Sequence, residues 1–389
     1  MSALVFLIAC VGFQGAAAKP TQPQAPSDPG KPGTKAAAKA VGKSAAPIVV
    51  PDKGPKRYIC HRRVGTVVVD GKVNEDAWNL VPWSDYFVDI EGDVRPRPRF
   101  LTRMKMLWDD EYFYFAADLQ EPHVWGTLTQ HDAVIFQDND FEIFIDPDGD
   151  NHQYYEIEIN ALNTEWDLFL DKPYRDGGPA RNEWEIPGLL KGVHVNGTLN
   201  DPKDVDGGWT VEIAIPWKVL GEFANRPVPP AEGDQWRVNF SRVEWRHEIV
   251  DGKYRKVPNN KEDNWVWSPQ GVVDMHRPEK WGYVQFTKLE PGRVRPQPDL
   301  TAPGRDRLHQ VYYAQKAHKA KTGAYAKSLE ELGLSSKELP PTMLRTTPDG
   351  FEAMVVVPKG LDSILPLTIR ADSKIIVGEP QPSPSVNID

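Results

Sequence analysis

The sequence predicts an all-β sandwich, antiparallel and jelly-roll-like, followed by a small C-terminal α+β domain. Short segments that alternate apolar and polar residues recur between turns rich in Gly, Pro and Asp, as in the strands of a sandwich. All 13 tryptophans lie between Trp78 and Trp281, which indicates one large core region. Residues 57–290 carry 42 acidic and 26 basic side chains, whereas residues 304–378 carry 8 and 11. The change in composition and charge predicts two domains with these bounds.

The first 18 residues are predicted to be a signal peptide. An apolar run is followed by three alanines at positions 16–18, and an Ala-x-Ala sequence before Lys19 is typical of a secretory cleavage site. The run is too short to span a bilayer, so we expect no transmembrane span. These features predict a secreted or periplasmic protein. A lipobox-like sequence that ends at Cys10 leaves open an envelope lipoprotein attached through that cysteine.

Two Pro-rich segments, residues 19–56 and 291–303, are predicted linkers. The first is also rich in Ala, Lys and Gly and has no hydrophobic periodicity, which indicates disorder. Residues 304–378 form the predicted α+β domain, with an amphipathic helix over Asp306–Lys321 and small strands after it. The Pro/Ser-rich tail, residues 379–389, is predicted to be disordered.

Three consecutive strands, residues 140–146, 153–161 and 165–171, organise the predicted sandwich. Their apolar side chains alternate with polar ones, which is typical of antiparallel strands with one buried and one solvated face. We predict that the solvated face is the functional surface. On the first two strands it carries Glu142, Glu156, Glu158 and Asn160.

The polar face indicates carbohydrate binding. Carboxylates and amides can hydrogen-bond to neighbouring sugar hydroxyls, and aromatic rings pack on the C–H faces of sugars. A net charge of −16 over residues 57–290 argues against a nucleic-acid partner, because nucleic acids attract basic surfaces. The neighbouring carboxylates Glu156 and Glu158 leave open an alternative, a glycoside hydrolase that acts on O-glycosyl bonds.

An acidic turn joins the first two of these strands. Asp146, Asp148 and Asp150 alternate along it, and calcium takes oxygen ligands of this kind from a flexible loop. An ordinary hairpin turn is the alternative, because Asp and Gly are common in turns without any metal. We predict calcium as a stabilising ligand, with these three aspartates as the candidate site.

Four sequence motifs resemble, in this order, the family 9 carbohydrate-binding modules and their wider group. They are VDGKVNEDAW from Val69, DFEIFID from Asp140, GGWTVEIAIPW from Gly207, and WVWSP from Trp265 with the closing WGYV. The resemblance covers residues 57–290 and implies a β-sandwich with bound calcium that binds the ends of sugar chains. Such modules usually accompany plant-polysaccharide hydrolases. The resemblance therefore implies a role in polysaccharide recognition or catabolism, and we expect a non-catalytic protein.

In this family two aromatic rings enclose a terminal sugar. The resemblance places one ring at Phe136 and the other at Met275, where no aromatic residue stands. The long preceding loop offers replacements for the missing ring in Trp245, Trp265 and Trp267.

The resemblance also assigns roles on the strands. Glu142 matches a carboxylate that contacts sugar, and Glu158 and Asn160 stand where the family favours a basic residue and an amide. The predicted ligand-binding residues are Phe136, Glu142, Glu158, Asn160, Trp267 and Met275, and the predicted ligand is an oligosaccharide or polysaccharide.

Haem-binding relatives of such sandwiches leave a further alternative open, an electron-transfer domain. Methionine and histidine serve as axial haem ligands in such domains. The side chains available for that role are Met104, Met106, Met275, His61, His123, His131 and His276.

Overall fold

The computed structural model describes residues 54–335, 337–359 and 362–383. The predicted signal peptide, Cys10 and residues 19–53 of the first predicted linker lie outside these ranges. Within them, no helix is both long enough and apolar enough to cross a membrane.

Fifteen strands belong to the main domain, and 13 of them form one curled sheet. In chain order they are β1 (Arg57–Arg62), β2 (Val88–Asp89), β3 (Thr102–Trp108), β4 (Tyr112–Leu119), β5 (Asp140–Asp146), β6 (Tyr154–Asn160), β7 (Glu165–Leu170), β8 (Ala180–Arg181), β9 (Leu190–Asn196), β10 (Gly208–Pro216), β11 (Gln235–Glu244), β12 (His247–Val250), β13 (Lys253–Lys256), β14 (Asp263–Val266) and β15 (Gly282–Thr287). Strands β12 and β13 make a separate hairpin. Helical pieces are short: α1 (Asp76–Asn79), α2 (Trp217–Leu220) and the 3-10 turns Ile135–Gln137, Tyr174–Asp176 and Pro278–Lys280.

The curled sheet folds its two halves against each other as a sandwich. Its strand order is β8-β7-β6-β5-β11-β15-β1-β3-β4-β10-β9, and most neighbours are antiparallel, although β1 runs parallel to both β15 and β3. Phe115 of β4 meets Phe240 of β11 across the interior, with ring centroids 5.9 Å apart. The core between the halves holds the apolar residues that the alternation assigns to one face, so the predicted sandwich is confirmed.

Glu212 of β10 ties two of the family-like motifs together. Its carboxylate accepts hydrogen bonds from the backbone N–H of Gly71 at 2.8 Å and from Trp78 Nε1 at 2.7 Å. A Cβ on Gly71 would lie 2.5 Å from the backbone of Val193. Only glycine therefore allows this turn to pack against the sheet, and the first motif is explained by structure rather than by ligand binding.

The polar face of β5 and β6 is buried, whereas the alternation predicts a solvated face. Every residue of both strands is buried. The 3-10 turn at residues 135–137 and the segment between β14 and β15 cover the face, and Phe144, Trp281 and their neighbours form a second small apolar core on it. The alternation identifies which side chains share a face, but it carries no information about loops that close over that face.

The C-terminal α+β domain packs one helix on a five-stranded sheet. Helix α3 (Ala302–Thr322) ends at Gly323, close to the predicted bounds, and places Leu308, Val311 and Tyr312 in the core. The sheet contains β16 (Thr342–Thr347), β17 (Gly350–Pro358), β18 (Ser363–Arg370), β19 (Ile375–Val377) and β20 (Gln381–Pro382). Strand β20 pairs with β18, although the sequence places it in a disordered tail.

This domain docks on the sandwich through many polar contacts. In the segment predicted as a linker, Asp299 accepts a hydrogen bond from the Tyr283 hydroxyl at 2.9 Å. On the other side of the interface, Tyr313 of α3 hydrogen-bonds to Glu279, which also pairs with Arg175 at 3.0 Å and Arg277 at 3.2 Å. Hydrogen bonds between tyrosine hydroxyls and carboxylates therefore hold the segment after the sandwich and helix α3 against it, which a flexible tether would not require.

Candidate functional site

The strand register brings the predicted site carboxylates together. Glu142 of β5 lies opposite Glu158 of β6, and Asp140 lies opposite Asn160. On the other side of β5, Ser241 of β11 lies opposite Glu142. These five polar residues therefore share one face, as the alternation predicts.

Asn160 is engaged by the protein. Its Nδ2 donates to Leu128 O at 2.8 Å and to Asp138 at 3.1 Å, while its Oδ1 accepts from the backbone N–H of Leu162 and Thr164. All four of its hydrogen-bonding positions are thus used within the chain. Asn160 holds the loops around the site in place and is not free to contact a ligand, contrary to the sequence-based prediction.

The carboxylates have few partners. Glu158 accepts from the backbone N–H of Phe136 at 2.8 Å, and Asp140 accepts from Val243 N at 3.0 Å. Asp140 Oδ2, Glu156 Oε2 and Ser241 Oγ are buried without a hydrogen-bond partner. Because native structures satisfy nearly all buried polar atoms, this concentration makes the face a candidate ligand-binding site.

Burial and mutual repulsion control the charge of this face. Burial, opposed by the Ser241 hydroxyl and aided by the charge of Glu262, raises the pKa of Glu142 to about 7. Burial, with the charges of Glu142 and Asp140, also raises the pKa of Glu158 well above its usual range. These carboxyl groups therefore hold protons more tightly than exposed ones, and a cation or hydrogen-bonding ligand would stabilise their charged forms.

Aromatic rings stand beside the carboxylates. Phe136 is half-buried and stacks against Trp166, with centroids 6.5 Å apart and planes 28° apart. Tyr174 is 47% exposed, and its ring centroid lies 4.4 Å from that of His276. The sequence analysis did not assign Trp166 or Tyr174 to the site. Trp166 could have been found, because it lies opposite Glu158 in the register of β6 and β7. Tyr174 stands on a loop, and no sequence pattern marks it.

Comparison with known proteins resolves the family of the sandwich. The model of the "Carbohydrate family 9 binding domain-like" family matches residues 69–265, which is half of the chain. The chain belongs to this family. The match contains three of the four motifs in full and reaches the start of the fourth.

The relatives of this family 9-like domain are parts of much larger enzymes. Exoglucanase XynX of Acetivibrio thermocellus is 26% identical over 156 residues, and endo-1,4-beta-xylanase A of Thermoanaerobacterium saccharolyticum is 28% identical over 153 residues. Each alignment covers 39% of this chain but only 12% and 11%, respectively, of the relative.

Two of the solved structures that resemble the chain are described as carbohydrate-binding proteins. One is a putative carbohydrate-binding protein from Bacteroides uniformis, with 16% identity, a TM-score of 0.45, and coverage of 59% of this chain and 99% of the other. The second is a family 9 module from Caldicellulosiruptor kristjanssonii in complex with cellotriose, with 17% identity, a TM-score of 0.40, and coverage of 63% and 100%.

Trp267, one of the predicted ligand-binding residues, lies away from the polar face of the family 9-like domain. Trp267 is buried in the sandwich core, where its ring lies 6.0 Å from Phe240. It therefore cannot act as the second aromatic ring against a terminal sugar. Trp265 is likewise buried. Met275 is half-buried in the small outer core, and its carbonyl accepts a hydrogen bond from Trp281 Nε1 at 2.9 Å. The ring that approaches the site from this segment is the neighbouring His276.

The acidic turn holds its three aspartates close together. Asp146, Asp148 and Asp150 each offer an oxygen, and these oxygens all lie within 4.8 Å of one another. Burial, with the charges of the other two aspartates, raises the pKa of Asp146 well above its usual range. This donor set fits a divalent cation such as calcium, which would supply charge neutralisation. Lys374 of the C-terminal domain already contacts Asp150 at 3.0 Å.

A cavity of about 640 Å³ opens beside this turn, where the sandwich meets the C-terminal domain. Side chains of both charges line it, including Arg57, Arg237, Asp148 and Asp299. The carboxylate face of Glu142 does not border it.

Among the described residues, the geometry supports neither of the alternative functions, a glycoside hydrolase or a haem-binding domain. Burial raises the pKa of both Glu156 and Glu158 well above the usual range, whereas a glycosidase pair combines one protonated carboxyl group with one ionised carboxylate. Met104 and Met106 are fully buried in the sandwich core, and His276 Nδ1 contacts the Tyr154 hydroxyl at 3.0 Å. These observations favour neither a glycosidase that uses this pair nor a haem site.

Proposed function

We propose that this protein is a non-catalytic carbohydrate-binding protein that recognises an oligosaccharide or polysaccharide on the face of β5 and β6. The observation that carries the proposal is the pairing of carboxylates with aromatic rings on one face of a family 9-like sandwich. Carboxylate oxygens accept hydrogen bonds from sugar hydroxyls, and rings pack on sugar C–H faces.

Because the carboxylates are buried, a sugar contacts the aromatic rings of the site before it reaches the carboxylates. Glu142 and Glu158 are only 4% and 2% exposed, so a sugar first meets the rings at the rim. We assign this first contact to Tyr174 and Phe136, with Trp166 beside them. Movement of the rim side chains then admits hydroxyls to the carboxylates. Because the rim is looser than a fixed pair of rings, we expect a dissociation constant of about 1 mM, with a preference for oligosaccharide chain ends.

Calorimetric titration of two variants with cello- and xylo-oligosaccharides tests this assignment. Phe136→Ala and Tyr174→Ala should each weaken binding at least tenfold without lowering the melting temperature. Tyr86→Ala is the matched control, because Tyr86 is 46% exposed but packs beside Arg103 on the other half of the sheet. If the two site variants bind as the parent does, the ligand site lies elsewhere.

We further propose that calcium stabilises the sandwich through the acidic turn. The three aspartates supply oxygen ligands of the type calcium prefers, and an ion that binds only the folded state raises its stability. Millimolar calcium should raise the melting temperature, and EGTA should lower it. Unchanged melting together with a blank metal analysis would exclude calcium.

We also propose that the protein is exported. The support is the signal-peptide pattern, which predicts a mature chain that begins near Lys19. Mass spectrometry of the native protein measures this directly. An intact Met1 would contradict export by this route, and a lipid on Cys10 would favour the lipoprotein alternative.

A further inference from the structure

Three carboxyl groups on the polar face form a compact set of oxygens apart from the acidic turn. Asp140, Glu142 and Glu158 each offer one oxygen, and the three oxygens lie within 4.8 Å of one another. Two oxygens bound to one calcium ion at about 2.4 Å are at most about 4.8 Å apart. The set is therefore compact enough to surround a single divalent cation.

This set concentrates buried carboxyl groups that lack a basic partner among the described residues. Asp140, Glu142, Glu158 and the nearby Glu156 are all at most 5% exposed. In residues 54–335, 337–359 and 362–383, no Lys or Arg forms an ion pair with any of them. At longer range Asp140 interacts with the ammonium group of Lys256, which lies 3.8 Å from the centroid of the Trp245 ring. Buried carboxylates without a counter-ion are unstable, so the site favours a bound cation.

A separate observation points to the same ligand. Ser241 is fully buried and lies directly opposite Glu142 in the strand register. Its hydroxyl is close enough to Glu142 to lower the pKa of that carboxyl, but its Oγ forms no hydrogen bond of normal geometry. Hydroxyl and carboxyl oxygens are ligands of hard cations such as calcium. Asp140 Oδ2, a member of the set, is also unpartnered. Ser241 Oγ and Asp140 Oδ2 therefore lie at the cluster of carboxyl groups and are available to a ligand there.

The acidic turn differs from this set in how its oxygens are used. Asp146 accepts from the backbone N–H groups of Gly149 and Asn151, and Asp150 accepts from His152 and pairs with Lys374. Much of its charge is thus compensated within the chain. On the polar face, Asp140 and Glu158 each accept a hydrogen bond from one backbone N–H, and no ion pair to the set is found among the described residues.

We propose that Asp140, Glu142, Glu158 and Ser241 bind a divalent cation of the calcium class, at a site separate from the acidic turn. The donor set is made of oxygens alone, which favours calcium over zinc. The proposal does not depend on carbohydrate binding, and its test uses the metal alone.

Equilibrium dialysis against calcium chloride, followed by metal analysis, tests the site. The variant Glu142→Gln/Glu158→Gln should bind one calcium equivalent fewer than the parent. The matched control is Asp148→Asn in the acidic turn, which should keep the equivalent that the double variant loses. If the double variant binds as much calcium as the parent, or if Asp148→Asn removes all bound calcium, the proposal is wrong.

A melting curve separates loss of the ligands from loss of the fold. Glutamine has the shape of glutamate without its charge, so in EGTA the double variant should melt at or above the temperature of the parent. A second variant, Ser241→Ala, leaves every charge in place and should weaken calcium binding severalfold. Calcium affinity equal to that of the parent in Ser241→Ala, or a double variant that is unfolded in EGTA, would overturn the proposal.

Discussion

Replacement of Glu279 by glutamine should loosen the contact between the sandwich and the C-terminal domain. The Glu279 side chain is 4% exposed and pairs with Arg175 and Arg277, while it accepts a hydrogen bond from Tyr313. Burial alone would raise the pKa of Glu279, but the charge of Arg175 and its other partners lower that pKa to about 2. Relative to an ordinary value of 4.5, the charged form contributes about 3 kcal/mol to the free energy of unfolding at neutral pH.

The sign of this contribution fixes its pH dependence. The pKa of Glu279 is lower in the folded state than in the unfolded state, so the stabilisation is fully present above pH 4.5. It is lost as the pH falls toward the folded-state value of about 2. The difference between parent and variant should therefore shrink to about 1 kcal/mol at pH 3.

Calorimetry at pH 7 and pH 3 measures both quantities. At pH 7 Glu279→Gln should lower the melting temperature by roughly 5–10 °C, given about 2–4 °C for each kcal/mol in a domain of this size. Glu290→Gln is the control, because Glu290 is exposed and should change stability by less than about 0.5 kcal/mol. Equal melting of Glu279→Gln and parent at pH 7, or a difference that is the same at pH 3, would refute the reasoning.

Two further substitutions test the packing of the sandwich. Gly282→Ala would place a Cβ 2.1 Å from the ring of Trp267, so it should destabilise the protein by about 1–3 kcal/mol in denaturant unfolding; parent-like stability would show that Trp267 is not fixed there. Arg242→Met should lower the free energy of unfolding by about 3–5 kcal/mol. It removes the guanidinium that lies 2.8 Å from the buried carboxylates of both Glu121 and Glu244. Adding Glu121→Gln and Glu244→Gln should restore most of that loss, and no recovery would contradict the charge argument.

Period-two alternation predicted the strands and the residues that share each face. It placed Glu142, Glu158 and Asn160 together because side chains two residues apart on a strand point to the same side. It could not predict their burial, which depends on distant segments such as the turn at Phe136 and the chain around Ser268. These segments lie far along the chain from the strands that they cover, so the local sequence pattern of the strands does not reveal the contact.

The tryptophans show the same limit. Their clustering predicted one aromatic core, but composition does not distinguish a ring packed in the core from a ring that contacts a ligand. Trp267 lies against Gly282 and Phe240 in the core, whereas Trp166 stands at the site. Strand pairing shows which face of the sheet a strand residue occupies, and so distinguishes a core ring from a ring at the site. Tyr174 lies on a loop and has no strand partner, so this test does not apply to it.

The C-terminal domain was predicted as an independent unit because its composition and charge differ from those of the sandwich. Its helix and strands follow from local patterns, including the glycine that ends α3. Its docking depends on single polar residues far apart in the chain, such as Lys374 with Asp150 and Tyr312 with Asp176. No periodic pattern accompanies such pairs, so the sequence alone predicted a tether.

Screening the full-length mature protein on an array of plant and algal oligosaccharides, with calcium and with EGTA, tests the central claim most directly. The account predicts saturable binding to at least one glycan in calcium, confirmed by calorimetry with a dissociation constant of about 1 mM, and abolished in Phe136→Ala. A folded, calcium-loaded protein that binds no glycan on the array would contradict the carbohydrate-binding function.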